Sequence, residues 1–324
     1  MKTSALSVVG FVVFFSLAFS AHSVHAETYP SRPIEMVITL PPGDNLDMTG
    51  RAIGAELAKV LNTPVFPVNK TGGAGLIGTE AVAKGRKDGY SILLANSNII
   101  YAYVTNPENV PYNVFPDLEP LCSVASIAIT LTVQAQSPWN SMKELADYSK
   151  QNPGKVRVST TGVGGVGHFN FEVIKAETKA PIIMVPYKGG SPAMTAVLGG
   201  HAEAGILASG LVAPHIKAGK LRTLLISRRV PEFPDIPTSK DLGFMRNLSS
   251  TWFAFFVASG VPESVRKVLI AGLEKCIKSP DVINAIRNLG VLEDYKPAAE
   301  FKKTMAEEYG MIKDVFKNIE PPTK

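Results

Sequence analysis

The chain has 324 residues, two cysteines and a formal net charge of +5, with Lys and Arg scattered rather than blocked. That pattern argues against nucleic acid as a partner. Two cysteines make no disulfide scaffold, and the length suits two domains of ordinary size.

The first residues read as a secretory leader. Lys2 supplies a charge, 5–21 is an uncharged apolar run, and Val24-His25-Ala26 is an A-x-A-like cleavage site. The leader is expected to span 1–26 and to be removed. No Cys precedes Cys122, so no lipid-bearing Cys follows the cleavage site, and no later run is long enough to span a membrane.

The segment 29–33 is proline-bounded and extended. The β-branched run 34–40 reads as a buried strand. Pro41, Pro42 and Gly43 turn the chain, and Ile53, Leu57, Val60 and Leu61 share one face of a following helix. A helix N-terminus offers free N–H groups and partial positive charge to an anion. The plainer reading is a strand-to-helix turn capped by Asp47 or Asn45. Next come a strand at 64–69, a glycine loop at 70–78, a short helix at 79–84 and a strand at 90–94 that ends in Asn96, Ser97 and Asn98. The alternation implies a mostly parallel α/β sheet, with ligands beyond the carboxyl ends of its strands.

The apolar run 124–134 suits a crossing into a second lobe. A helix at 141–151 follows, stopped by Asn152-Pro153-Gly154. Then the opening plan recurs: a strand at 156–159, a glycine loop at 160–167, and a helix from His168. Further strands are expected at 182–186, 202–207 and 221–227, with helices at 191–198 and 212–218. Residues 252–258 suit a return crossing, and helices at 262–278, 281–289 and 298–317 complete the chain.

Both Gly73–Gly78 and Gly162–Gly167 match G-x-G-x-x-G. A dinucleotide site also wants an acid about 20 residues on. Those positions fall near Asn96 and near Tyr187 and Lys188, none of them acidic. The glycines instead allow close backbone approach to an anion. His168, His201 and His215 lack metal-ligand spacing, and no Ser sits in a G-x-S-x-G elbow. Cys122 and Cys276 have no neighbouring His; they form one disulfide or, more simply, two buried thiols. No cofactor, metal or enzyme activity is indicated. A secreted hydrolase or isomerase on a similar two-lobe scaffold is the alternative, and it needs a nucleophile–base pair that the sequence does not display.

Several motifs together resemble the Bug-type (TctC-like) periplasmic solute-binding proteins of the tripartite tricarboxylate transporter family. They are 29–34 (YPSRPI), Pro42-Gly43 with Asp47 and Arg51, 69–75 (NKTGGAG) and 88–90 (DGY). Further on come 152–155 (NPGK), 162–168 (GVGGVGH), 185–189 (VPYKG), Gly199-Gly200 and 215–222 (HIKAGKLR). The resemblance covers essentially all of the chain beyond the leader. It implies a type II periplasmic-binding-protein-like α/β fold, with lobe 1 from 27–127 and 251–324 and lobe 2 from 128–250. It implies a monomer that closes on a small carboxylate (a di- or tricarboxylate, an aromatic acid or an amino acid) and delivers it to membrane subunits of a tripartite transporter.

The carboxylate is expected against backbone N–H groups of two loops. One holds Pro42, Gly43, Asp44, Asn45 and Asp47; the other holds Thr161, Gly162, Gly165, Gly167 and His168. Asn96, Ser97, Tyr187, Lys188 and Ser209 are expected to choose the rest of the ligand. Asp44 departs from the family pattern, which often has glycine there. A carboxylate beside an anion site is unfavourable, which leaves room for an amine-bearing ligand.

Overall fold

The computed structural model describes residues 29–317. The expected leader, 1–26, lies outside the described residues.

The opening run forms β1 (Ile34–Ile38), buried at all but one position. It feeds α1 (Asn45–Leu61), whose Ile53 and Leu57 face the core. β2 (Val65–Asn69) follows, and then α2 (Leu76–Ala83), which starts three residues earlier than its sequence pattern suggests. β3 (Ser91–Asn96) runs into α3 (Asn98–Thr105), a helix the sequence reading does not anticipate. A single turn, α4 (Val114–Asp117), precedes the ten-residue β4 (Leu118–Ile127).

After Ala128 the chain builds a second unit. It comprises β5 (Ile129–Gln134), α5 (Met142–Gln151), β6 (Arg157–Thr160), α6 (Val166–Thr178) and β7 (Ile183–Pro186). It continues with α7 (Gly190–Leu198), β8 (Ala204–Ala208), α8 (Ser209–Lys217) and β9 (Leu221–Ile226). The chain returns through β10 (Thr251–Ala258), α9 (Glu263–Ile277), α10 (Pro280–Asn288), β11 (Leu292–Pro297) and α11 (Ala298–Phe316).

Two sheets result, in the orders β11-β4-β10-β3-β1-β2 and β7-β6-β8-β5-β9. Neither is mostly parallel. β1 pairs in parallel with β2 and β3, and β6 with β7 and β8. β10 is antiparallel to β3 and β4, β11 to β4, and β5 to β8 and β9. The crossings impose this. A strand entering from the other lobe starts at the edge where its neighbours finish, so it runs against them. Thr251 at the start of β10 thus lies beside Ile127, and Ile129 at the start of β5 beside Ala208.

Only Ala128 separates β4 from β5, so the carboxyl edges of the two sheets face each other. The second link, 227–250, is bonded to the first: the Ser227 N–H donates to Ile129 O at 2.8 Å, and Ser227 and Ser250 hydroxyls lie 2.7 Å apart. Asn170 of α6 clamps this link, accepting from Ser249 N at 2.8 Å and donating to Ser249 O at 2.9 Å. Behind it, buried Glu308 of α11 accepts from Trp252 Nε1 at 2.6 Å, Tyr101 OH at 3.0 Å and Ser249 Oγ at 3.3 Å. Burial pushes the Glu308 carboxyl up, and those donors partly offset it.

Ile53, Leu57, Leu273 and Ile286 fill one face of the first sheet. On the other face, Tyr101 and Phe301 share a core with Phe169 and Val173 of α6. The lobes are therefore joined by apolar packing as well as by chain.

Candidate functional site

The two strand–turn–helix loops sit on the facing edges. In the first, Gly43 adopts φ +83°, a conformation that suits glycine. Asp44, rather than Asn45 or Asp47, is the N-cap of α1: its Oδ1 accepts from Leu46 N at 2.9 Å. Asp47 is buried and holds the loop. It accepts from Gly43 N at 2.9 Å, Asn69 Nδ2 at 2.8 Å and Arg51 Nε at 3.0 Å. Asn69 also donates to Leu40 O and accepts from Arg51. Burial opposes ionisation of Asp47, but these hydrogen bonds and the Arg51 charge outweigh it and hold its carboxyl below the usual range. Asp44 behaves oppositely. It keeps surface open to solvent, yet protein atoms crowd its carboxyl. That desolvation, with the Asp47 charge, pushes it up against the Leu46 hydrogen bond.

The second loop leaves β6 at Thr160. Gly162 and Gly164 take φ +138° and +79°. The N-cap of α6 is Gly165, which offers no side-chain bond, and the first turn holds no acid. Val166, Gly167 and His168 of that turn are buried. Gly167 sits close to the loop, since a Cβ there would meet Thr161 Oγ1 at 3.2 Å and the Thr161 side chain would have to shift. His168 shapes the loop instead of facing outward: its Nδ1 accepts from Gly164 N at 3.1 Å, and its ring packs on Phe316.

The remaining expected residues divide. Asn96 ends β3, beside the end of β1, and Ser97 follows it; Asn96 Oδ1 accepts from Asn98 N at 3.2 Å. Ser97 is fully buried and its hydroxyl has no partner. Tyr187 donates its N–H to Thr160 O at 2.9 Å, which places it beside the second loop. Lys188 is exposed and makes no ion pair among the described residues. Ser209 is buried at the crossing, where its N–H donates to Ala128 O at 2.8 Å. Pro42 and Thr161 are exposed, and Asn45 is half-buried.

Sequence reasoning passed over α3. From the first lobe, Thr105 Oγ1 donates to Gly164 O at 3.1 Å. The Asn98 Oδ1 lies 3.3 Å from where a Cβ on Gly165 would stand, and it is buried without a partner. The signal was present as a polar pair, Ser97-Asn98, opening an apolar run that resembles a strand as much as a helix.

Among the described residues no cluster of three His, Cys, Asp or Glu is placed to hold a metal. Cys122 and Cys276 are buried free thiols, and burial pushes both up to about 12, which removes them as nucleophiles. No described helix is long and apolar enough to cross a membrane.

The two sheets thus each place one strand–turn–helix loop at their facing edges. Residues 49–320 match the model of the tripartite tricarboxylate transporter family receptor, TctC. The chain belongs to that family. This TctC-family receptor is 34% identical over 291 residues to the protein BugT of Bordetella pertussis, with 89% of each chain covered. A solved periplasmic transporter shares 30% identity at a TM-score of 0.79, over 90% of this chain and 99% of that one. A TctC solute-binding protein from Polaromonas shares 28% at a TM-score of 0.78, over 90% and 100%. Members of the TctC family are solute receptors, not enzymes, and nothing in these likenesses supports the hydrolase or isomerase alternative.

Proposed function

We propose that this TctC-family receptor works in the periplasm, closing two lobes on one small carboxylate whose anionic group is held chiefly by the N-terminus of α6. The observation that carries the reading is the start of α6. It is uncapped, acid-free and buried, and it touches α3 of the facing lobe through Gly164 and Gly165. Charge-assisted hydrogen bonds from such a turn are strongest where water is excluded.

In this reading lobe 1 carries the six-stranded sheet and lobe 2 the five-stranded sheet. They pivot about Ala128 and the bonded link at Ser227, Ser249 and Ser250. Pro42, Gly43 and Asn45 border the cleft from lobe 1, with Ser97 at the neighbouring strand end. Thr161, Gly162, Gly165, Gly167 and Tyr187 border it from lobe 2, and Lys188 lies at that rim. Asp47 and His168 shape the loops, and Ser209 lines the base. Release is to membrane subunits of a tripartite transporter.

The test is calorimetric titration of protein refolded to strip carried ligand, against mono-, di- and tricarboxylates and amino acids. Gly165→Asp suits the extended backbone there (φ −106°) and asks the Asn98 side chain, whose Oδ1 lies 3.3 Å from the new Cβ, to shift by a few tenths of an ångström. It places an anion on the α6 N-terminus and should weaken the best carboxylate by about 100-fold or more, some 2.7 kcal/mol. Unchanged affinity in a folded Gly165→Asp protein removes that loop from the site.

A further inference from the structure

We infer that the ligand carries an ammonium group beside its carboxylate, and that Asp44 is the residue selecting for it. This rests on the carboxylate reading above and narrows it. The two halves of the cleft differ in polarity. Lobe 2 offers donors, the free N–H groups that open α6. Lobe 1 offers acceptors. Capping of α1 uses only Oδ1 of Asp44 and leaves Oδ2 without a hydrogen-bond partner. No cation lies within 4.0 Å of Asp44 among the described residues, whereas Asp47, three residues on, is compensated by Arg51.

An independent observation points the same way. Just past the end of β3, the strand beside β1, Ser97 Oγ is buried without a partner, and the buried, unpaired Oδ1 of Asn98 one residue on stands against Gly165 of the α6 turn. A buried acceptor left unpaired in the protein is a place for a ligand donor or an ordered water. An ammonium group brings three donors and a positive charge to such a surface. A second carboxylate brings neither and is repelled by Asp44. A zwitterion therefore spans the cleft in one orientation, carboxylate to α6 and ammonium to the Asp44 side.

Calorimetry on the refolded chain with matched acids tests this: L-aspartate against succinate, and L-glutamate against glutarate. The amino acid of at least one pair should bind 10-fold or more tightly than its deaminated partner. Asn is as good an N-cap as Asp, so Asp44→Asn keeps the α1 cap, and a melting temperature no lower than the wild type's confirms that. The variant should weaken the amino acid and tighten the deaminated acid, bringing their ratio near one. Equal or tighter binding of the deaminated acids by the wild type overturns the inference. An equal loss for both members of a pair in Asp44→Asn also overturns it, since that is a structural effect. Both of those results leave the carboxylate reading standing. Binding of no carboxylate of either kind removes both.

Discussion

The turn into α1 and the turn into α6 share a plan: a strand end, glycine in the left-handed region, then a helix start facing the other lobe. They dispose of their N–H groups in opposite ways. At α1, Asp44 takes Leu46 N and Asp47 takes Gly43 N, so two acids sit on the positive end of the helix. At α6, Gly165 takes nothing and no acid follows in the first turn. Their supports differ as well. The α1 turn is braced inside its own lobe by Asp47, Arg51 and Asn69. The α6 turn is braced from across the cleft by Thr105, and its helix by the Asn170 clamp on the inter-lobe link. The quenched turn is thus complete before a ligand arrives, while the open turn depends on how the lobes sit. That asymmetry is what supports the proposal that the anionic end of the ligand meets α6.

Making the turns alike should break the comparison most strongly. Gly165→Asp gives α6 the charged cap of α1, and the expected 100-fold loss of affinity is the largest effect. Gly165→Ser caps the same turn without charge and should lose about 10-fold, roughly 1.4 kcal/mol. A Ser variant as weak as the Asp variant would mean that occupied N–H groups, not charge, do the damage.

Removing the brace of the α1 turn comes next. Asp47→Ala strips an acceptor from Gly43 N and Asn69 Nδ2, and each unsatisfied group costs about 1–3 kcal/mol if it stays dry. Arg51 is substantially exposed and adds little, because solvent screens it. Urea unfolding should show a loss of about 2 kcal/mol. The same change should not touch α6, so carboxylate affinity should fall far less than in Gly165→Asp. A larger fall would place the anion at α1 and invert the assignment.

Acid separates the two aspartates. Asp47 has its folded carboxyl held below the ordinary value. It contributes stability above the unfolded pKa of about 3.9, lost as pH falls through its lower folded value. Asp44 has its folded carboxyl raised, so the folded state holds that proton more tightly than the unfolded chain does. Its ionisation costs stability as pH rises from about 3.9 through the folded value. In urea unfolding at successive pH values, Asp44→Asn should therefore gain on the wild type as pH rises through that window, and Asp47→Asn should lose ground as pH rises up to it. Parallel curves for both variants would show that the two carboxyls share one environment.

Much of this was legible locally. The β-branched run of β1 was clear, as was the helix at 141–151, whose first residue, Ser141, proves to be its cap, accepting from Glu144 N. Gly162 to Gly167 stood out before α6 because glycine spacing and helix starts are properties of neighbours in sequence. What escaped depends on distant chain. β11 (LEDYKP) has weak strand propensity and exists because it pairs with β4, Leu292 against Ser126 and Lys296 against Ser123. The antiparallel pairings follow from where the crossings enter, which no window of sequence reveals. In α3, Ile99, Ile100 and Tyr101 are all fully buried, which erases the one-sided pattern that marks a helix. With α3 unseen, the contacts of Asn98 and Thr105 on the α6 turn were unseen too. The identity of the α1 cap was missed by one residue, because Asp44, Asn45 and Asp47 are all good caps and only geometry chooses among them.

The smallest effect bears on why Asp44 is there at all. An N-cap is worth about 1 kcal/mol, so Asp44→Ala should destabilise the protein by that amount if capping is its whole role. Crowding of its carboxyl works against this, since an acid whose ionisation is opposed gives back part of what its cap contributes at neutral pH. Asp44→Ala should then cost less than about 1 kcal/mol near pH 7, while Asp44→Asn, which caps without the charge, should be at least as stable as the wild type. Urea unfolding of the three proteins side by side decides it. If Asp44→Ala costs the full amount and Asp44→Asn gains nothing, the carboxylate is an ordinary cap and the two turns differ only in structure. If Asp44→Asn is the more stable protein, the charge stands at the cleft against the interest of the fold, as a charge kept for the ligand would.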